Sequence, residues 1–177
     1  MRGILTVRAR DAVSRRLVVQ HTVKNMIVNR GFGALVLLLG QTTETGTDMD
    51  PLIVTPDSLR VHRLQVGDSG GSPAVPPALT QTGLLDPTPV ELLPVIETFM
   101  TTSPYEIVAR VTLESVTPAN GKTLREAGLF TKGIVPTPAP PVNPESLPRL
   151  VARQIHPEIA KTEALVVEYE WHIAVSA

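Results

Sequence analysis

Residues 164–175, Ala-Leu-Val-Val-Glu-Tyr-Glu-Trp-His-Ile-Ala-Val, constrain the fold more than any other stretch. Leu165, Val167, Tyr169, Trp171, Ile173 and Val175 fall on one side of an extended chain, with Glu168, Glu170 and His172 on the other. A period of two with one apolar and one charged side belongs to an antiparallel strand that buries one face and wets the other. Residues 105–116 repeat the pattern, with Ile107, Ala109, Val111 and Leu113 opposite Arg110, Thr112 and Glu114. Shorter extended segments are read at "GILTVRARD" and "RRLVVQHT", joined by Asp11-Ala-Val-Ser as an N-terminal hairpin (1–21), and at "SLRVHRLQVG", "KTLREAGLFT" and "RLVARQIH".

The exception is residues 22–39, where the spacing changes to helical, Thr22 is placed to cap and Gly40 to terminate, although Gly31 and Gly33 weaken the middle. The expected architecture is a single mainly β domain over 1–177, an antiparallel β-sandwich with one principal helix (about 22–39) and long Pro-rich loops. Those loops are 73–94 and 134–148. The first carries Pro73, Pro76, Pro77, Pro87, Pro89 and Pro94, which forbid a central strand or a long helix and predict an extended surface connection. The second contains Pro-x-x-Pro spacings, so an adaptor that binds a partner through it is one alternative function.

A chain of 177 residues buries a core without staples, and the absence of cysteine excludes disulfides and Cys-based metal sites. Its longest apolar run, "ALVLLL" at 34–39, is too short to span a bilayer, and the first ten residues have no leader-like apolar region. The expectation is a chain made in the cytoplasm, with no membrane, cofactor or small-molecule substrate. Leu35, Leu37 and Leu38 belong to five consecutive apolar side chains that sweep round a helix, so one sheet covers only part of them. Either the chain's own 73–94 connection or a neighbouring subunit covers the rest. Glu44, Asp48 and Asp50 are close enough in sequence to suggest an ion, but without the spacing of a calcium loop.

"LQVGDSGGSP" at 64–73 resembles the nucleophile loop of trypsin-like proteases and the first block of the Gly-Asp-Ser lipases, which makes Ser69 the candidate for a serine hydrolase. A serine nucleophile needs a base and an orienting acid. Only 68 residues precede it, too few for the first barrel that carries the protease histidine, and the last aspartate is Asp86, so neither His156 nor His172 belongs to a lipase Asp-x-x-His block. The preferred reading is a Gly-rich turn leaving a strand. On that reading Ser69→Ala is silent and Gly70→Val is not.

Charge is uneven. Residues 1–30 hold seven basic side chains, Arg8 and Arg10 among them, against Asp11 alone, so this segment carries about +6 and the remainder about −7 of the total of −1. Arg8 and Arg10 are candidates for an electrostatic handle on an acidic partner, the plain alternative being a solvated hairpin. Nucleic acid is disfavoured as that partner, because no aromatic residue is interleaved with the arginines. Glu126 and Arg153 lie on segments expected to pair across the 132–148 loop, giving a cross-strand ion pair partly covered by a loop or a neighbouring subunit and worth about 0.2–1 kcal/mol by itself.

The series "VKNMIVNRGFGALVLLLG", "LQVGDSGG", "ANGKTLREAGLF", "RLVARQIHPEIAKT" and "LVVEYEWHIAV" resembles tail-fibre-type and collar-type structural proteins of tailed bacteriophages, over about residues 20–175. Its most specific part is Glu126–Phe130, Leu150–Arg153, Lys161 and Trp171. The resemblance implies a non-enzymatic virion component, a homo-oligomer in contact with other virion proteins. The short length, without a repetitive shaft, fits a collar, neck, tail, baseplate or fibre-attachment piece better than a receptor-binding tip.

Overall fold

The computed structural model describes residues 2–27, 60–70, 74–92, 94–99, 105–132 and 149–175. They form nine strands: β1 (Arg2–Asp11), β2 (Leu17–Ile27), β3 (Val61–Gly67), β4 (Pro87–Leu92), β5 (Val95–Phe99), β6 (Tyr105–Leu113), β7 (Thr123–Thr131), β8 (Leu150–Ala160) and β9 (Leu165–Val175). The hydrogen-bonded order is β4-β3-β7-β8-β2-β1-β9-β6-β5, every pair antiparallel. It divides into two sheets that share β2: β5-β6-β9-β1-β2, called here the first sheet, and β2-β8-β7-β3-β4, the second.

The fold is mainly β, and among the described residues there is no helix. The expected helix over 22–39 is corrected at its start, because Thr22 to Ile27 continue β2. Thr22 lies opposite Thr6, with their Oγ1 atoms 3.3 Å apart, so the side chain read as a helix cap serves a cross-strand contact instead. Hairpin register propagates along β1 as far as Asn25, and β8 takes Met26 and Ile27 on the other side. Ladder hydrogen bonds on two flanks outweigh a weak local helix preference. Residues 28–39, with Leu35, Leu37 and Leu38, lie outside the described residues, as do Glu44, Asp48 and Asp50 and the 134–148 loop.

The prolines of 73–94 also do more than connect. Pro87 and Pro89 sit in β4 at one end of the strand order, where a residue without an N–H is tolerated, and Val95 opens β5 at the other end. What remains of the expected connection is the segment 68–86, whose flanking residues Gly67 and Pro87 pair directly. A tight turn would join them, so the long excursion has another task.

That task is to cover the second sheet. Ala127 and Leu129 of β7 enter the main core together with Leu5 and Val7 of β1 and Tyr169 and Trp171 of β9, so both sheets feed one continuous buried cluster. Gly128 and Phe130 point the other way, and Leu84 packs against Phe130 and Leu150 there. β7 is buried on both faces, which explains its unbroken burial from Glu126 to Thr131. A Cβ on Gly128 meets Leu84 Cδ2 at 2.8 Å, and one on Gly67 collides with the Asp86 carbonyl. Glycine at both positions lets the 74–86 segment lie close on the sheet.

Candidate functional site

The Gly-Asp-Ser-Gly turn leaves β3 with Ser69 at φ 58° and Gly70 at φ 76°, two successive left-handed residues that fold the chain back over β7 and β8. Beneath it lie Glu126 and Arg153. Glu126 is opposite Ile155 and Arg153 opposite Gly128, so the two charged residues are diagonal neighbours on the covered face. Arg153 Nε donates to Glu126 Oε2 at 2.7 Å, and both side chains are 0% exposed. The 74–86 segment covers the expected pair completely and makes it an internal one.

A buried charge is tolerated only when its remaining hydrogen-bonding sites are filled. Arg153 Nη1 donates to Val75 O and to Gln81 Oε1, both at 3.1 Å, and Nη2 donates to Ser69 Oγ at 2.8 Å. Glu126 Oε1 accepts from the backbone N–H groups of Leu85 (3.1 Å) and Asp86 (3.0 Å). Five residues of the loop and turn, Ser69, Val75, Gln81, Leu85 and Asp86, therefore converge on one ion pair. The motif that suggested a nucleophile has a different chemistry. Ser69 Oγ receives a guanidinium N–H and gives its own proton to the Val75 carbonyl at 3.3 Å. A hydroxyl so engaged is a buried bridge.

Ser69 therefore does more than turn the chain. Ser69→Ala leaves a guanidinium N–H without its acceptor and is expected to lower stability by about 1–3 kcal/mol. Gly70→Val acts by another route, since the space around Gly70 is open but its φ is one that a β-branched residue rarely adopts. In urea denaturation the Ser69→Ala loss should shrink when Arg153 is already replaced, whereas the Gly70→Val loss persists. Equal losses for Ser69→Ala with and without Arg153 contradict the bridge.

A second buried cation closes one end of the molecule. Lys161 is fully buried, and its Nζ donates to Asn120 Oδ1 at 2.7 Å, Thr162 O at 2.8 Å and Ser115 O at 3.4 Å. Burial holds its pKa below the ordinary lysine value, with Glu114 and Glu163 partly opposing. Arg125 on β7 bridges Asp68 and Glu158, the latter at 2.6 Å, and so ties the Gly-rich turn to β8 from the solvent side.

The outer face of the first sheet is a charge lattice centred on β9. Glu170 accepts from Arg110 Nε at 2.9 Å, lies 3.4 Å from Arg8 Nη2 and 3.0 Å from His172 Nε2, while Arg10 Nε donates to Glu168 at 3.1 Å. His172 also reaches Glu106, through Nδ1 at 2.7 Å. His172 and the two arginines hold the Glu170 carboxyl down to about 2, and the two carboxylates raise His172 against the opposing effect of burial. Arg8 and Arg10, candidates for a handle on an acidic partner, spend their charge on glutamates of their own chain. Trp171, on the opposite face of the same strand, is a core residue at 0% exposure.

Strand order in the sequence brings Glu126 and Arg153 together, but nothing in it points to Gln81, Asn120 or the Asp68–Arg125–Glu158 bridge. Nor does it point to His156 of β8, which meets Tyr169 of β9 edge-on with ring centroids 5.6 Å apart. The signal for Glu126 and Arg153 was present: each is a charge on a side of its strand that small or apolar neighbours share. Nothing local marks Gln81, whose role depends on a loop conformation. In comparisons with known proteins, no family model matches the chain, and no curated protein or solved structure does.

Proposed function

We propose that the chain is a non-enzymatic structural component of a tailed-phage virion, a collar, tail or baseplate and fibre-attachment subunit that assembles as an oligomer, with its two sheets facing as a sandwich. One observation carries the reading. Of the residues on which the phage resemblance rests most specifically, Glu126–Phe130, Leu150–Arg153, Lys161 and Trp171, all but Val151 are buried, and among them Glu126, Arg153 and Lys161 fix a loop and an end turn. They build a rigid frame, and the outward surfaces they stabilise carry exposed apolar side chains such as Val75, Leu79 and Leu85. Frames with apolar patches on loops held in place suit assembly, because groups ordered in advance lower the cost of association.

The serine-hydrolase alternative loses support from the engagement of Ser69 with Arg153. The deciding experiment is quantitative mass spectrometry of purified particles from cells that produce this protein, together with antibody labelling of the particles. A fixed copy number per particle and labelling at the neck, tail or baseplate are expected. A chain that is made but absent from particles, or that reacts with a fluorophosphonate probe at Ser69, overturns the proposal.

A further inference from the structure

Three turns meet at one end of the molecule. Asp11 at the end of β1 pairs with Leu165, Leu113 at the end of β6 pairs with Val167, and Thr123 at the start of β7 pairs with Ala160. The hairpin turn 12–16 is bonded to the 161–164 turn through Ala12 N and Ala164 O at 2.9 Å. Lys161 ties the 114–122 turn to the same place through Ser115 and Asn120. The two most exposed large apolar residues of the described chain, Val13 at 93% and Val116 at 80%, both project from this end.

Charge of both signs surrounds them, basic on the hairpin and acidic on the turns beside it, with Lys122 exposed at the far end of the 114–122 turn, where it lines a depression with Asp68 and Asp86. Arg15 and Arg16 are exposed on the hairpin, and Glu114 and Glu163 are exposed on the two turns beside it. Among the described residues none of the four makes a direct ion pair, in contrast to Arg8 and Arg10 further along the hairpin, and Glu114 and Glu163 act on the buried Lys161 without a contact that spends their outward charge. The turns are also held in place before any partner arrives. Asp11 accepts from the N–H groups of Val13 and Ser14 and from Ser14 Oγ, at 3.1, 2.7 and 2.8 Å, and Lys161 clamps the other two. Beside Arg16, the side chains of Leu17 and Val18 border a groove of about 460 Å³.

We propose that this end is a self-complementary docking surface whose occupant is a second copy of the chain, related by a twofold axis. A twofold interface brings the same patch of two copies together, so the basic hairpin of each meets the acidic turns of the other. A partner of one charge sign satisfies only half of this patch and repels the other half. The apolar residues supply the interface centre and the four charges its rim, while the preformed turns reduce the ordering cost of association. The proposal rests on the oligomeric part of the reading above and not on its virion setting.

Sedimentation equilibrium of the full chain tests it with a charge swap. Arg15→Glu/Arg16→Glu places like charges on both sides of the twofold contact, and Glu114→Lys/Glu163→Lys does the same with the opposite sign. Each variant alone should weaken association by at least about tenfold, because like charges now face each other. An equimolar mixture of the two should recover most of the wild-type affinity. Val116→Ser, which leaves the charges intact, should weaken association as well, and unchanged far-ultraviolet circular dichroism verifies folding in each case. Wild-type oligomers that neither charge variant weakens, or variants that fail to complement when mixed, overturn this surface while leaving an oligomer in place. A wild-type chain that is monomeric throughout the accessible concentration range overturns both.

Discussion

Arg153→Met should destabilise the protein by about 3–5 kcal/mol, the effect expected when one member of a buried ion pair is removed and the other keeps its charge. The loss here exceeds a single pair. Without the guanidinium, Ser69 Oγ, Val75 O and Gln81 Oε1 lose donors at once, and Glu126 is left with the backbone N–H groups of Leu85 and Asp86 as its support. Because these partners belong to the 68–86 segment, the damage should concentrate there. In Arg153→Met, amide exchange at Leu85 and Asp86 and proteolysis within 74–86 should accelerate even where β1 and β9 remain protected.

The companion experiment is Arg153→Met/Glu126→Leu. Removing both charges removes the orphaned carboxylate, so the double variant should be more stable than the sum of the single effects predicts, and can exceed Arg153→Met itself. Urea denaturation of the wild type, both single variants and the double variant completes the cycle. A loss below about 1 kcal/mol for Arg153→Met, or additive single effects, contradicts a buried and fully engaged pair, since those are the values of a solvated one.

The same pair marks where sequence reading reaches and where it stops. Strand identity was legible where alternation is clean: β9 presents Tyr169 and Trp171 inward and Glu168 and Glu170 outward as its spacing requires. That Glu126 and Arg153 meet followed from strand adjacency. Their complete burial did not, because it is caused by Leu84–Asp86 arriving from about 40 residues away, over Gly128 and beside Gly67. Residues 22–27 were misread for a related reason. Val-Lys-Asn-Met-Ile has no strict alternation, and its conformation is imposed by β1 and β8 on either side. In 87–92 the prolines concealed a strand that survives only because its place is at the end of the order. Non-local contact decided each case, and no window of sequence contains it.

His156 supplies the second large effect, through pH. It lies on β8, buried against Tyr169 of β9, with Nδ1 2.8 Å from Pro157 O and Nε2 3.4 Å from the Tyr169 hydroxyl. One neutral tautomer satisfies both contacts: Nδ1–H donates to the carbonyl, and Nε2 accepts the phenolic proton. Burial keeps Tyr169 protonated and pushes His156 down to about 4, with His21 of β2 a smaller influence in the same direction. Above pH 6.5 the imidazole is neutral in both folded and unfolded chains, and stability is complete. As pH falls from 6.5 toward 4 the unfolded chain binds a proton that the folded chain refuses, at about 1.4 kcal/mol per pH unit. The accumulated loss is about 3 kcal/mol at pH 4, and below that the folded protein takes up the proton too. His172 has the opposite sign: its raised folded pKa contributes stability that is complete below 6.5 and declines as pH rises through the folded value. Glu170, held at about 2, loses its contribution only as pH falls from 4.5 toward 2. The slope between pH 6.5 and 4.5 therefore belongs mainly to His156. Urea midpoints taken across that window should fall steeply for the wild type and for His172→Gln, and remain nearly level for His156→Phe. An equal slope in all three proteins means that the imidazole against Tyr169 is reached by protons in the folded state, and that this contact is not the closed one described.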